Sequence, residues 1–291
     1  MNWTFLFTRA DGQTLTLGPP PCRILSVSGT DNGSFDFSTA ENAGIDGVIL
    51  TGRKIPPRQI EITGDLDYRQ GDRLREQLIR FFSPALSGKA VANRNGLQRK
   101  IGYEAQSLLF DQGTLYSPQT YTLRLYCPSP CWEDMSDYGK NLAAAVPLIG
   151  FPLILPAGAE AHGRGSRRFL TGYTTTNRKA FLENNGEAPA GIRAVVSATR
   201  GQVVNPSVTL MDTGERIKVN LTMAKGDRLE ISTVARKKTV TWNGENVFHM
   251  TDRSSVFFSI PIGGGTVEYN AEDGYTNLDL RLYYTPLYLG L

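Results

Sequence analysis

The chain has 291 residues, 40% of them hydrophobic, and 31 Lys and Arg stand against 28 Asp and Glu for a formal net charge of +3. That is enough apolar material for a core but more length than one core usually serves, so two domains are expected. A balance so near zero excludes the large electrostatic field by which proteins gather nucleic acid or anionic lipid.

The opening Met1-Asn2-Trp3-Thr4-Phe5-Leu6-Phe7-Thr8-Arg9 has neither a basic leader nor a long apolar core, so it reads as a strand and not as a secretory signal. Trp3 to Thr8 and Gln13 to Leu17 flank Asp11-Gly12, a hairpin signal, and Pro19-Pro20-Pro21 ends the pair. Arg23 to Ser28 follows as a strand. Residues 29–47 are rich in Gly, Asn, Asp and Ser and read as a long flexible stretch carrying Phe35 and Phe37 at strand spacing. Val48 to Thr51 and Arg58 to Leu66 bracket Pro56-Pro57, and the second run alternates apolar with polar at a period of two. The spacing of Leu74, Leu78, Phe81 and Phe82 predicts a helix over 72–82, capped by Asp72 and stopped at Ser83-Pro84. Lys100 to Ala105 and Thr120 to Tyr126 return to strand.

At Cys127-Pro128-Ser129-Pro130-Cys131-Trp132 two prolines remove ladder donors, which makes a natural exit from a first domain of residues 1–132. Residues 133–168, rich in Ala, Gly and Pro, read as a linker or wrapping segment; the apolar part from Leu142 to Leu155 is broken by Pro147, Gly150 and Pro152, so no membrane span is expected. Strands then recur over a second domain, 169–291: Lys179 to Glu183, Ile192 to Ser197, Val208 to Asp212, Ile217 to Met223 and Leu229 to Ser232. Thr239 to Trp242 turns at Asn243-Gly244, Ser255 to Ile260 turns at Gly263-Gly264-Gly265 into Thr266 to Tyr269, and Leu280 to Tyr284 closes the series. Such punctuated runs predict a mainly β chain, its first part a sheet domain with one helix and its last a β-sandwich or jelly roll.

Three cysteines, Cys22, Cys127 and Cys131, read as reduced thiols; with only His162 and His249 beside them, no metal site and no cofactor is expected. Enzyme signatures are absent: there is no Gly-x-Ser-x-Gly, no His-Glu-x-x-His and no phosphate loop, and no catalytic residue is assigned. Arg236-Lys237-Lys238 and Arg167-Arg168 read as turn surface, so specific nucleic-acid binding is not expected.

The order of these features is similar to that of the distal tail protein family of long-tailed siphophages. The residues that carry the likeness are the Cys127-Pro-Ser-Pro-Cys-Trp132 exit, Phe181-Leu-Glu-Asn-Asn185-Gly186-Glu-Ala-Pro189, Gly226-Asp-Arg-Leu-Glu-Ile231, the Trp242-Asn-Gly-Glu-Asn turn, and Ser255-Val-Phe-Phe-Ser-Ile260-Pro-Ile-Gly-Gly-Gly265 leading to Val267-Glu-Tyr. It covers nearly the full chain, and residues 140–175 depart from it in looking longer and more apolar. The resemblance implies a virion structural protein at the tail tip: a homohexameric ring built mainly by the N-terminal domain, set between the tail tube protein and the tail-tip hub, with a galectin-like C-terminal sandwich to which receptor-binding proteins attach. It also implies a long hairpin making ring contacts, matched here by Gly44 to Ile62. Arg53, Lys54 and Arg58 would then face Glu41, Asp46 or Glu61 of a neighbour. The competing reading is a carbohydrate-binding, lectin-like module with Tyr173, Trp242, His249 and Tyr269 as its platform. Against this, Trp242 reads as an aromatic residue packed onto its own sandwich, as aromatic residues in strands mostly are.

Overall fold

The computed structural model describes residues 3–41, 44, 46–111, 118–141, 145–147, 172–174 and 178–291. Most of the segment expected to link the domains lies outside these residues. Two compact units emerge: the first is Met1–Ser136 with Gly186–Ala188 and Pro286–Leu291, the second Asp137–Asn185 with Pro189–Thr285. The first unit therefore takes in two short stretches that the sequence reading placed in the C-terminal domain.

The first unit contains β1 (Trp3–Arg9), β2 (Thr14–Leu17), β3 (Cys22–Ser28), β4 (Asp36–Ala40), β5 (Ile49–Lys54), β6 (Arg58–Leu66), α1 (Gly71–Phe81), β7 (Gly88–Arg94), β8 (Leu97–Asp111), β9 (Thr120–Cys127) and β10 (Trp132–Glu133). Its main sheet runs β2-β1-β7-β8-β9-β6-β3, every neighbouring pair antiparallel. β8 joins its two halves. It pairs with β7 from Leu97 to Tyr103 and with β9 from Glu104 onward, and its register with β9 shifts between Ala105 and Ser107. Such a bulge bends a strand, and both halves send side chains into one core: Phe5, Phe7, Ala90 and Ile101 from one, Ile60, Ile62, Leu123 and Leu125 from the other. α1 covers that core with Leu74, Leu78 and Phe81, as its spacing predicted, and Phe82 is buried with them. Asp72 is not its cap. It lies in the first turn, and Gln70 holds the capping position without a side-chain hydrogen bond; the carboxylate there favours the helix through the exposed N–H groups of that end instead.

β7 and the first residues of β8 were not anticipated, although a two-residue signal was present. Asn95 and Gly96 join the two strands with φ of 52° and 93°, the left-handed pair that a tight hairpin requires. A different constraint fixes Gly64 in β6, where a Cβ would lie 2.1 Å from the Arg23 carbonyl oxygen and 2.4 Å from the Tyr121 ring.

The second unit is built on two larger sheets. One has the order Tyr138–Asn141, Leu278–Tyr284, Ala190–Ala198, Arg228–Ser232, Thr239–Trp242, Glu245–Asn246, with Ser259–Ile260 also on Ala190–Ala198. The other has the order Lys179–Leu182, Gly265–Asn270, Ser207–Leu210, Arg216–Lys218. Ile192, Ala194, Leu280 and Leu282 from the first and Val208, Leu210, Val267 and Tyr269 from the second belong to one core, the arrangement of a sandwich. Asn243-Gly244 makes the expected tight turn, with φ of 50° and 91°. Of the run Ser255 to Ile260 only the last two residues are strand, and Ile217 to Met223 is two short strands rather than one.

Candidate functional site

Among the described residues, β4 and β5 form a two-stranded sheet that joins no other strand. Asp36 pairs with Lys54, Phe37 with Arg53, Ser38 with Gly52, Thr39 with Leu50 and Ala40 with Ile49, the register shifting between Ser38 and Thr39. Thr51 Oγ1 donates to the Ser38 carbonyl at 3.0 Å. The partner of β5 is thus residues 36–40, inside the stretch read as flexible, and not the chain running on to Ile62. All of β4 and all of β5 but Gly52 is exposed. Phe37, Ile49 and Leu50 are 61%, 54% and 56% accessible, Val48 and Phe35 are exposed beside them, and none belongs to either core. An isolated hairpin is marginal in water, and apolar side chains grouped outside a core mark a surface that something else covers.

Asp46, Arg53 and Lys54 are exposed on this hairpin or its loop. Lys54 lies opposite Asp36. Arg58 requires a correction. It is 6% accessible, and its guanidinium donates to four carbonyl oxygens of its own unit: Pro130 at 2.8 Å, Gly29 at 2.7 Å, Asp31 at 2.6 Å, and Leu289. Burial pulls its pKa below the usual arginine value, yet nearly every donor is satisfied, which is the condition for keeping a cation inside. Such a side chain cannot face a neighbour. Glu61 is half-buried and accepts from Arg124 Nε at 2.7 Å, so its charge is matched within the chain.

Tyr269 is not available to the saccharide platform expected from the sequence. Tyr269 is 1% accessible and part of the second core, because it shares its inward parity with Val267; Trp242 is half-buried against that same core. His249 is exposed in the short 3-10 helix Phe248–Met250. Tyr173 lies in the strand Gly172–Thr174, which pairs with Ala145–Pro147 in a two-stranded sheet of its own. The second unit has a shallow open depression of about 470 Å³ lined by Thr209, Thr213, Glu215, Arg216, Ser254 and Val256, and it contains no aromatic ring. Among the described residues no group of His, Cys, Asp and Glu is placed to hold a metal ion, and no helix is long and apolar enough to cross a membrane.

One cluster escaped the sequence reading. The strand Leu287–Tyr288 pairs with β10, Tyr288 opposite Trp132 and Leu287 opposite Glu133. Arg99 donates to the Gly290 carbonyl and lies 3.7 Å from the centre of the Tyr288 ring, Arg94 donates to the Leu291 carbonyl at 3.2 Å, and the Leu291 N–H donates to Thr30 at 3.0 Å. Arg94 and Arg99 stand across the Asn95-Gly96 turn, so that dipeptide was the available clue.

Residues 185–288 match the family model described as siphovirus-type tail component, C-terminal domain. Across the whole chain the likeness is one of fold. The crystal structure of the Dit protein (gp 19.1) of SPP1, described as a paradigm of the hub adsorption apparatus in phages infecting Gram-positive bacteria, superposes with a TM-score of 0.66 at 14% identity, over 97% of this chain and 98% of that one. A chain of the phage P2 baseplate in its activated conformation with calcium gives 0.53 at 13% identity over 98% of each chain, and its strontium counterpart gives 0.52 at 13% over 97% of each. No curated protein matches the chain significantly. The distal-tail resemblance and the mainly β fold class read from the sequence therefore hold.

Proposed function

We propose that this protein is a structural component of a siphophage or prophage tail tip, where six copies form a ring between the tail tube and the tail-tip hub. The observation that carries the reading is the β4–β5 hairpin, which projects Phe37, Ile49 and Leu50 from a unit whose own core is complete without them. A neighbouring copy is the occupant that fits, because a head-to-tail contact between one hairpin and a different face of the next subunit closes into a ring. The whole-chain fold likeness to tail and baseplate proteins supports the same conclusion. Arg53, Lys54 and Asp46 would sit at the rim of that contact, setting orientation more than affinity. The work of the ring is geometric: many copies of one interface hold the tube to the adhesion apparatus, and receptor-binding proteins attach through the second unit.

Light scattering coupled to size exclusion tests this over a range of concentrations. A species of six chains that falls to one chain when Phe37, Ile49 and Leu50 are together replaced by Ser supports it. A single-chain mass at every concentration overturns it.

A further inference from the structure

The loop that leads into β4 is held by residues almost at the other end of the chain. Gly29 and Asp31 give their carbonyls to Arg58, whose remaining bonds go to Pro130 and Leu289. Thr30, 2% accessible, accepts from the Leu291 N–H at 3.0 Å. The packing around Gly290 is close: a Cβ there would meet the Asn32 nitrogen at 3.1 Å. Gly29 is constrained more tightly from the other side, with φ of +79° and a virtual Cβ 1.9 Å from the Gln59 carbonyl oxygen. Residues 289–291 thus lie against residues 30–32, and the carbonyls of Leu289, Gly290 and Leu291 are held by Arg58, Arg99 and Arg94 respectively. Four residues later the exposed strand β4 begins. Among the described residues no other sheet fixes the hairpin's direction.

We propose that the segment Leu287–Leu291 is a strap that sets the pose of the β4–β5 hairpin, so that the assembly surface is presented only when the strap is seated in its arginine cradle. The idea rests on the ring reading for its purpose, but not for its geometry. Arg58 joins the strap to the loop directly. Arg94 also reaches the loop, its Nη1 3.9 Å from Asp31 Oδ1, whereas Arg99 acts on the loop through the strap and is a positioning residue. Because the strap follows the second unit in the chain and closes beside β10, where the chain leaves the first unit, the hairpin's order depends on both crossings being in place.

The test reads the hairpin's pose inside one molecule. Ser38→Cys on β4 and Lys89→Cys on β7 are both exposed, and the native Cys22, Cys127 and Cys131 are buried, so nitroxide labels can be attached selectively. The labelled chain is diluted into unlabelled protein and the distance distribution measured by pulsed electron resonance. The intact chain should give one narrow peak. Arg99→Ala should broaden it and deletion of residues 289–291 should abolish it, while amide exchange in β1, β7 and β9 of the Arg99→Ala chain stays within about tenfold of the parent, the change that one lost hydrogen bond of typical strength allows. An unchanged narrow peak in the deletion variant overturns the strap. So does loss of protection throughout the first unit in both variants, since the segment would then be ordinary core. If the parent chain is monomeric the ring reading fails, but the label distances still decide the strap.

Discussion

The first unit contains two hairpins that differ in what covers them. β7 and β8 meet at Asn95-Gly96 and turn Ala90, Ala92, Ile101 and Tyr103 into the core. β4 and β5 are joined across residues 41–48 and turn Phe37, Ile49 and Leu50 to solvent. Both are antiparallel ladders, so backbone pairing does not distinguish them. The difference is that one completes its own domain and the other leaves its apolar side chains in solvent. Apolar side chains grouped outside a complete core are what the proposed assembly surface rests on.

The largest effect should come at the residue that ties the loop before β4 to the covered sheet. Arg58→Ala takes the donor away from four carbonyl oxygens, and each of them left buried and unpaired should cost about 1–3 kcal/mol. Denaturant titration should show the first unit's transition shifted accordingly and the second unit's unmoved. Next come the exposed apolar residues. Single replacement of Phe37, Ile49 or Leu50 by Ser should weaken assembly by about 1.5–3 kcal/mol for each side chain buried at a contact, seen as a higher dissociation concentration, with monomer stability changed by less than about 0.5 kcal/mol. Equal losses in monomer and oligomer would erase the contrast between the two hairpins.

A pair of glycine variants sharpens it further. Gly64→Ala drives a methyl against the Arg23 carbonyl and the Tyr121 ring and should cost about 1–3 kcal/mol, as overpacking does. Gly52→Ala in β5 meets only Ser38 at 3.7 Å, an ordinary contact, and should leave the melting temperature of the monomer unchanged. The smallest effect is chemical. Burial pushes the Cys127 thiol up to about 12, so its neutral form favours the fold below the ordinary value of 9.0, and that contribution fades as pH rises from there through about 12. Thiol reagents at pH 8 should therefore leave native Cys127 unmodified and react fully in denaturant.

Much of the framework was legible because it is periodic. The stripe of Leu74, Leu78 and Phe81, the Asp11-Gly12 and Asn243-Gly244 turns and the alternation of β6 and β9 are each local facts of the sequence. β4 was hidden by composition, since its neighbours are Gly, Asn, Asp and Ser and its order comes from pairing with β5 alone. Arg58 and Tyr269 were misplaced for a reason the sequence did contain. Arg58 shares parity with Ile60 and Ile62, and Tyr269 with Val267, so the period of two assigned both to the inner face; residue type outweighed position in the reading. The strap could not have been found this way, because its meeting with residues 30–32 is a long-range contact that no local pattern encodes.

The central claim is that the uncovered hairpin exists to meet another copy of the chain. The mass of the intact protein, measured in solution beside that of the chain with Phe37, Ile49 and Leu50 all replaced by Ser, tests it most directly. The account predicts a closed assembly of six chains for the first and a folded single chain for the second. A folded single chain for both, or the same assembly for both, would contradict it.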